Sequence, residues 1–307
     1  MKSIITVIAL LIAGFKYSYA QQLPQFTQYM YNTIAINPAY AGSREVMSIV
    51  GLSRNQWVGF NGGPQTQTLS IHSPLRNNKI GLGLSLINDK LGYENITNIS
   101  ADFSYTIQAN EDLKISFGLK AGMNLYKLND ELYNSSDVNQ DPYFGEKLSQ
   151  RNENFGTGIL FHSNRWYLGL SAPKIINHNL SNKIEFTSLE RVHYYTTGGY
   201  VFDLNDILKF KPSFMFKHTD GAPISTDLTA NFLFKEKFWL GGSYRIGGFQ
   251  RAIGTLVDFQ VTDNFRVGYS YEIPTSEIRP YTSGSHEILI MYEFKFSRDK
   301  QKSPRYF

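Results

Sequence analysis

Thr97-Asn98-Ile99-Ser100-Ala101-Asp102-Phe103-Ser104-Tyr105-Thr106-Ile107-Gln108 decides the fold class. Its odd positions read Thr, Ile, Ala, Phe, Tyr, Ile, and its even ones Asn, Ser, Asp, Ser, Thr, Gln. A helix would scatter both sets around its axis, whereas a strand puts each set on its own face. Leu113–Tyr126 repeats the pattern, with Leu113, Ile115, Phe117, Leu119, Ala121, Met123 and Leu125 opposing Lys114, Ser116, Lys120 and Asn124. Ile80, Leu82, Leu84 and Leu86 alternate with Gly81, Gly83 and Ser85, and Phe265, Val267, Tyr269 and Tyr271 with Arg266, Gly268, Ser270 and Glu272.

Working outward, fourteen segments alternate: 46–57, 64–73, 79–88, 95–108, 112–126, 153–162, 165–172, 190–203, 207–217, 226–235, 237–246, 250–261, 263–273 and 285–296. Pro212 falls inside the ninth, where its missing N–H predicts a bulge. Short connections follow even-numbered strands, at Pro74–Asn78, Ala109–Glu111, Ser163-Asn164, Leu204–Asp206, Glu236 and Thr262. Long ones follow odd-numbered strands, at Lys127–Asn152, Pro173–Leu189, His218–Ser225 and Pro274–Gly284; the turn near Gly247–Phe249 is the short exception.

An even strand number with tight turns at one end and long loops at the other predicts an all-β, 14-stranded antiparallel transmembrane barrel of the outer membrane. A soluble sandwich or lipocalin-like barrel also alternates. It would turn its apolar face inward, and fourteen such strands enclose more space than side chains fill. The expected lipid face holds Ile99, Phe103, Leu119, Phe214, Phe232, Leu240, Val267 and Ile290. The expected lumen holds Asp102, Lys114, Lys120, Lys209, Lys211, Asp227, Arg245, Arg251, Arg266, Glu272 and Glu293. An arginine should be rejected at Ile99 or Leu119 and tolerated at Ser100.

Ahead of the barrel, Lys2, the apolar run Ile4–Phe15 and Ser18-Tyr19-Ala20 read as a cleavable export signal over 1–20, cut after Ala20. Lys16 stands unusually close to that cut. The run of about 12 apolar residues is short of the roughly 20 that a spanning helix needs. Residues 21–45 form a segment of their own, too polar to span a membrane and without clean alternation. Two readings stay open for it: a periplasmic leader, or a segment folded into or under the barrel mouth. The barrel takes 46–296, and 297–307 is a basic tail that reads as a solvated end.

Composition narrows the chemistry. Of 307 residues none is cysteine, which excludes disulfides, thiolate metal sites and a cysteine nucleophile. Two of the 30 Lys and Arg lie in the leader and five in residues 295–307, and one of the 26 Asp and Glu lies in residues 295–307. Residues 21–294 thus carry 23 basic against 25 acidic groups, and no basic field is left to hold nucleic acid. The six histidines show no metal-ligand spacing, so no metal or other cofactor is expected. Asp137-Val138-Asn139-Gln140-Asp141 begins like a calcium loop, but Pro142 and Leu148 stand where glycine and glutamate are needed. Ser70 and His72 share one strand face, as a nucleophile and its base would. They share it with Thr66 and Thr68, on the lumen side, so no catalytic residues are assigned and the protein reads as no enzyme.

Several longer motifs remain: Gln25-Phe26-Thr27-Gln28-Tyr29-Met30, Ile36-Asn37-Pro38-Ala39-Tyr40-Ala41-Gly42-Ser43, and Gln56-Trp57-Val58-Gly59-Phe60. With them stand Thr66–Ser70, His72–Leu75, Lys79–Gly83, Phe117–Gly122, Lys211–Phe214, Asn231–Leu233, Phe238–Gly241, Gly268–Tyr271 and Ser283–Glu287. Together these motifs resemble the PorP/SprF proteins of the type IX secretion system, across essentially the whole mature chain. The resemblance implies an outer-membrane barrel that serves protein export and gliding motility. Its implied partners are membrane lipid, the C-terminal domain of a secreted cargo or adhesin, and periplasmic ring components of the machine. It carries over no catalytic or cofactor-binding residues. Gln25, Phe26, Gln28, Tyr29, Asn37, Pro38, Tyr40, Gly42, Trp57, Gly59 and Phe60 are motif residues without an assigned role. A passive outer-membrane porin is the alternative.

Overall fold

The computed structural model describes residues 24–75, 78–129, 132, 149–179, 189–247, 250–294 and 306–307. The expected export signal, the calcium-like stretch 137–141 and most of the basic tail lie outside them. Fourteen strands form the barrel. They are β1 Met47–Asn55, β2 Gln65–Pro74, β3 Ile80–Leu91, β4 Glu94–Gln108 and β5 Lys114–Leu128. Next come β6 Ser149–His162, β7 Trp166–Ala172, β8 His193–Tyr200, β9 Leu208–Thr219 and β10 Ser225–Phe234. The last are β11 Phe238–Ile246, β12 Ala252–Gln260, β13 Phe265–Pro274 and β14 Ser285–Phe294.

Each strand pairs antiparallel with its sequence neighbours, and β1 closes on β14 from Met47↔Phe294 to Asn55↔His286. Phe202–Asn205 continues β8 along β9. A two-residue ladder, His178–Asn179 with Leu189–Glu190, stands outside the barrel.

The structure corrects four expectations. Between β3 and β4 only Gly92 and Tyr93 remain, so a second turn at the long-loop end is short. Pro212 makes no bulge: it pairs with Ala230 in unbroken register. On its other side the ladder pauses after Gly199↔Ser213 and resumes at Phe202↔Phe210 without an offset. The shift falls instead between Asp203 and Asn205. Arg251 does not line the lumen; it is exposed just before β12, on the parity of outward-facing Ile253. Ser100 is 3% exposed and its hydroxyl lies 3.4 Å from the Lys120 ammonium, so an arginine there would bring a like charge onto Lys120, which counts against the tolerance expected of it.

The faces are otherwise those expected, and they make the barrel inside-out. Leu119 is 62% exposed while adjacent Lys120 is 7% exposed, and Ile99, Phe103, Phe232, Leu240 and Ile290 lie outward with it. Asp102, Lys211, Asp227, Arg245, Glu272 and Glu293 are buried inside. Such a surface suits hydrocarbon, where every backbone group is paired within a closed sheet. Leu119→Arg is expected to destabilise the folded barrel in vesicles by about 2–4 kcal/mol, because a charge on the lipid-facing surface must leave water. Heat-modifiable gel migration measures it, and folding equal to the unmodified barrel would refute the facing.

Candidate functional site

The lumen is filled by residues 24–46. Three short 3-10 turns, Tyr29–Tyr31, Thr33–Ala35 and Pro38–Tyr40, carry this segment. The last has Pro38 in its first turn, and the Asn37 carboxamide accepts the Ala39 N–H at 2.9 Å. Phe26, Tyr29, Met30, Tyr31, Ile34 and Ile36 are all buried, as are Gln25, Gln28, Asn32 and Asn37. These residues lie inside the barrel. The motif residues Gln25, Phe26, Gln28, Tyr29, Asn37, Pro38, Tyr40 and Gly42 are therefore brought together as one plug.

The plug is tied to the wall along its length. At the long-loop end the Glu287 carboxylate accepts the Thr27 and Gln28 N–H groups at 2.9 and 2.8 Å. Arg54 reaches Glu287 at 3.1 Å, Glu272 at 2.5 Å and the Thr27 hydroxyl at 2.5 Å. Arg245 joins this network through Asp227 at 2.5 Å and Glu272 at 3.3 Å. Midway, the Asn32 carboxamide donates to Thr68 at 3.0 Å, and Lys120, paired with Asp102 at 2.7 Å, donates to the Ile34 carbonyl at 3.2 Å. Ser171 donates to the Ile36 carbonyl at 2.7 Å, and Asn37 to that of Ile159 at 3.2 Å. At the tight-turn end Ser104 donates to the Ala41 carbonyl at 2.6 Å, and Arg44 pairs with Glu293 at 2.6 Å. Burial works against the Arg44 charge; Glu293 and Tyr40 outweigh it and hold the guanidinium pKa above its ordinary value. Burial pushes the Tyr31 phenol up, helped by Asp258, and does the same to Tyr29, so both are neutral.

Inward-facing glycines make room for the plug. A Cβ on Gly118 would stand 2.1 Å from the Ala39 nitrogen, on Gly81 2.0 Å from the Ala41 carbonyl oxygen, and on Gly158 2.1 Å from the Asn37 carboxamide. Gly42, at φ +74°, turns the chain between plug and wall, with a Cβ position 2.9 Å from the Gly81 backbone. Ser70 and His72 are buried on the lumen face; His72 Nδ1 accepts the Gly42 N–H at 3.2 Å, and its ring meets Tyr40 edge-on at 5.4 Å. His72 thus serves the plug. Among the described residues no group of His, Asp and Glu has the arrangement of a metal site.

The motif residues Trp57, Gly59 and Phe60 lie elsewhere, in the β1–β2 loop at the long-loop end. Val58 N–H donates to the Gly284 carbonyl at 2.8 Å, and Ser283 N–H to the Val58 carbonyl at 2.8 Å, so this loop leans on the β13–β14 loop. Val58 and Phe60 stay exposed. Where the plug begins, a cavity of about 90 Å³ opens at the same end, lined by Phe26, Ile36, Lys120, Tyr126, His193 and Tyr195.

A family model described as "Type IX secretion system membrane protein PorP/SprF" matches residues 18–292. No curated protein matches the sequence. Among solved structures, the Ralstonia pickettii toluene transporter TbuX aligns with a TM-score of 0.54 at 10% identity, over 86% of this chain and 93% of that one. The P. putida toluene transporter TodX aligns with a TM-score of 0.50 at 10% identity, over 87% of this chain and 95% of that one. At these identities the likeness is one of barrel fold.

Proposed function

The chain belongs to the PorP/SprF family of type IX secretion system membrane proteins, and we propose that it works there as a closed docking barrel of the outer membrane. It assists the export or surface anchoring of one cargo or adhesin by engaging that cargo's C-terminal domain, and so serves protein secretion and gliding motility. The filled lumen carries this reading over a passive porin: residues 24–46 occupy the bore and bond to the wall from one end to the other. Outer-membrane barrels keep their tight turns in the periplasm. The long-loop end, where Val58 and Phe60 are exposed and the cavity opens, is then the outer face and the place for cargo. The tight-turn end faces the periplasmic ring of the machine.

The test is a pull-down of the tagged barrel from detergent-solubilised outer membrane, together with a deletion strain. One exported protein should co-purify, and that protein alone should be lost from the surface of the deletion strain. Full surface display of every exported protein in that strain would sink the reading.

A further inference from the structure

Lys211, on β9 near the tight-turn end, is fully buried at 0% exposure. Among the described residues no ion pair includes it. A buried ammonium needs acceptors, since an uncompensated one costs several kcal/mol. It finds aromatic faces: its Nζ lies 4.6 Å from the Trp239 ring centroid and 5.2 Å from that of Tyr31. It also finds the far end of the sequence. Lys211 donates to the Tyr306 carbonyl at 2.8 Å and stands 5.8 Å from the Phe307 ring centroid.

Phe307 packs on Tyr167 with centroids 4.8 Å apart, and its carbonyl accepts from the Arg44 guanidinium. The Tyr306 hydroxyl donates to Glu236 at 3.3 Å, and Lys209 lies 5.5 Å from the Tyr306 ring centroid. Beside the Phe307 ring about 30 Å³ stays open, lined by Met30, Leu160 and His162. The expected solvated tail therefore ends on a receptor built from the plug, through Arg44 and Tyr31, and from the wall, through Lys211, Tyr167 and Trp239. Its chemistry is selective: two cations aimed at successive main-chain carbonyls, and aromatic faces for two adjacent rings.

We propose that this pocket is a peptide-binding site for a segment with two adjacent aromatic residues on a second polypeptide, and that Tyr306-Phe307 occupies it in cis as a competitor. Release of the tail opens the seat at the tight-turn end.

The test uses the full chain in detergent, intact and as the double variant Tyr306→Ala/Phe307→Ala. The probe is a fluorescein-labelled peptide with the sequence of residues 300–307, amidated so that it presents only the carbonyl contacted here. Anisotropy should show saturable binding to the double variant, at least about tenfold tighter than to the intact barrel. Adding Lys211→Met to the double variant, or replacing Tyr and Phe in the peptide by Ala, should remove it. Heat-modifiable migration checks the folding of each barrel; if Lys211→Met does not fold, Tyr167→Ala takes its place. Equal affinity for the two barrels, no binding to either, or indifference to the two rings overturns the proposal.

Discussion

A barrel lacking residues 24–42 is expected to conduct ions in a planar bilayer, while the intact protein stays silent. Fourteen strands enclose a bore wider than wall side chains alone can fill, and here the plug supplies the missing volume. Removing it leaves a lining rich in charge, with Arg54, Asp227, Arg245, Glu272 and Glu287 facing the vacated space. Water enters such a space readily, because the groups that bonded the plug become its hydration sites. A milder variant isolates displacement from deletion. Gly118→Val puts a side chain where the Ala39 backbone lies, and the strain falls on main-chain atoms that cannot swing aside. It should give intermittent openings, with Gly118→Ala nearer the silent state. Silence from a plugless barrel that migrates as folded would show that something other than residues 24–42 closes the bore.

Arg54→Ala is expected to be the most damaging single substitution in the network, at about 3–5 kcal/mol. Arg54 is 1% exposed and bridges two buried carboxylates, Glu272 and Glu287, while also holding the Thr27 hydroxyl. Without it, two negative charges lie close together in a packed lumen, and one of them also carries the start of the plug. Arg54→Lys keeps the charge but cannot fork to both carboxylates, so it should fall between. The contrast is Asp203→Ala, which breaks the solvent-screened pairs with Arg165 and Lys209 and should leave the stability close to that of the unmodified barrel. Urea titration of heat-modifiable migration reads all three. A loss for Arg54→Ala no larger than for Asp203→Ala would mean that the lumen network is hydrated.

Much of this architecture was legible in the sequence, because period-two alternation follows directly from strand geometry. Where it erred, local chemistry misled. Gly92-Tyr93 made a tight turn among residues polar enough to suggest a loop, and Pro212 needed no bulge because the ladder beside it pauses. Arg251 looked inward on its charge alone, against the parity that it shares with outward-facing Ile253.

The plug was harder to see. Gln25, Thr27, Gln28, Asn32 and Asn37 are polar residues that read as solvent-facing, and nothing within the segment shows that their partners lie elsewhere: Thr27 meets Glu287 across 260 positions of chain. One signal was present. Gly81, Gly118, Gly158 and Gly268 occupy lumen-facing positions where alternation calls for a polar side chain, and glycine inside a strand marks a close approach of backbone. Gly81, Gly118 and Gly268 stand in the stretches that carry the family resemblance, Gly158 pairs with Gly118, and all four come against plug atoms, Gly268 meeting Gln28.

The direction of the plug also bears on how the molecule is made. Pro24 lies at the long-loop end, yet β1 starts at the opposite end, so the segment runs the full height of the bore before the wall begins. A wall that closed first would have to be threaded afterwards by a string of aromatic side chains. Wrapping the wall around the segment avoids this, and it makes the β1–β14 seam and the capture of the plug one kinetic event. Contacts of such sequence separation form slowly. The late step in assembly is then the zipping of a sheet onto its own core, with Glu287, on the closing strand, as the residue that joins the two.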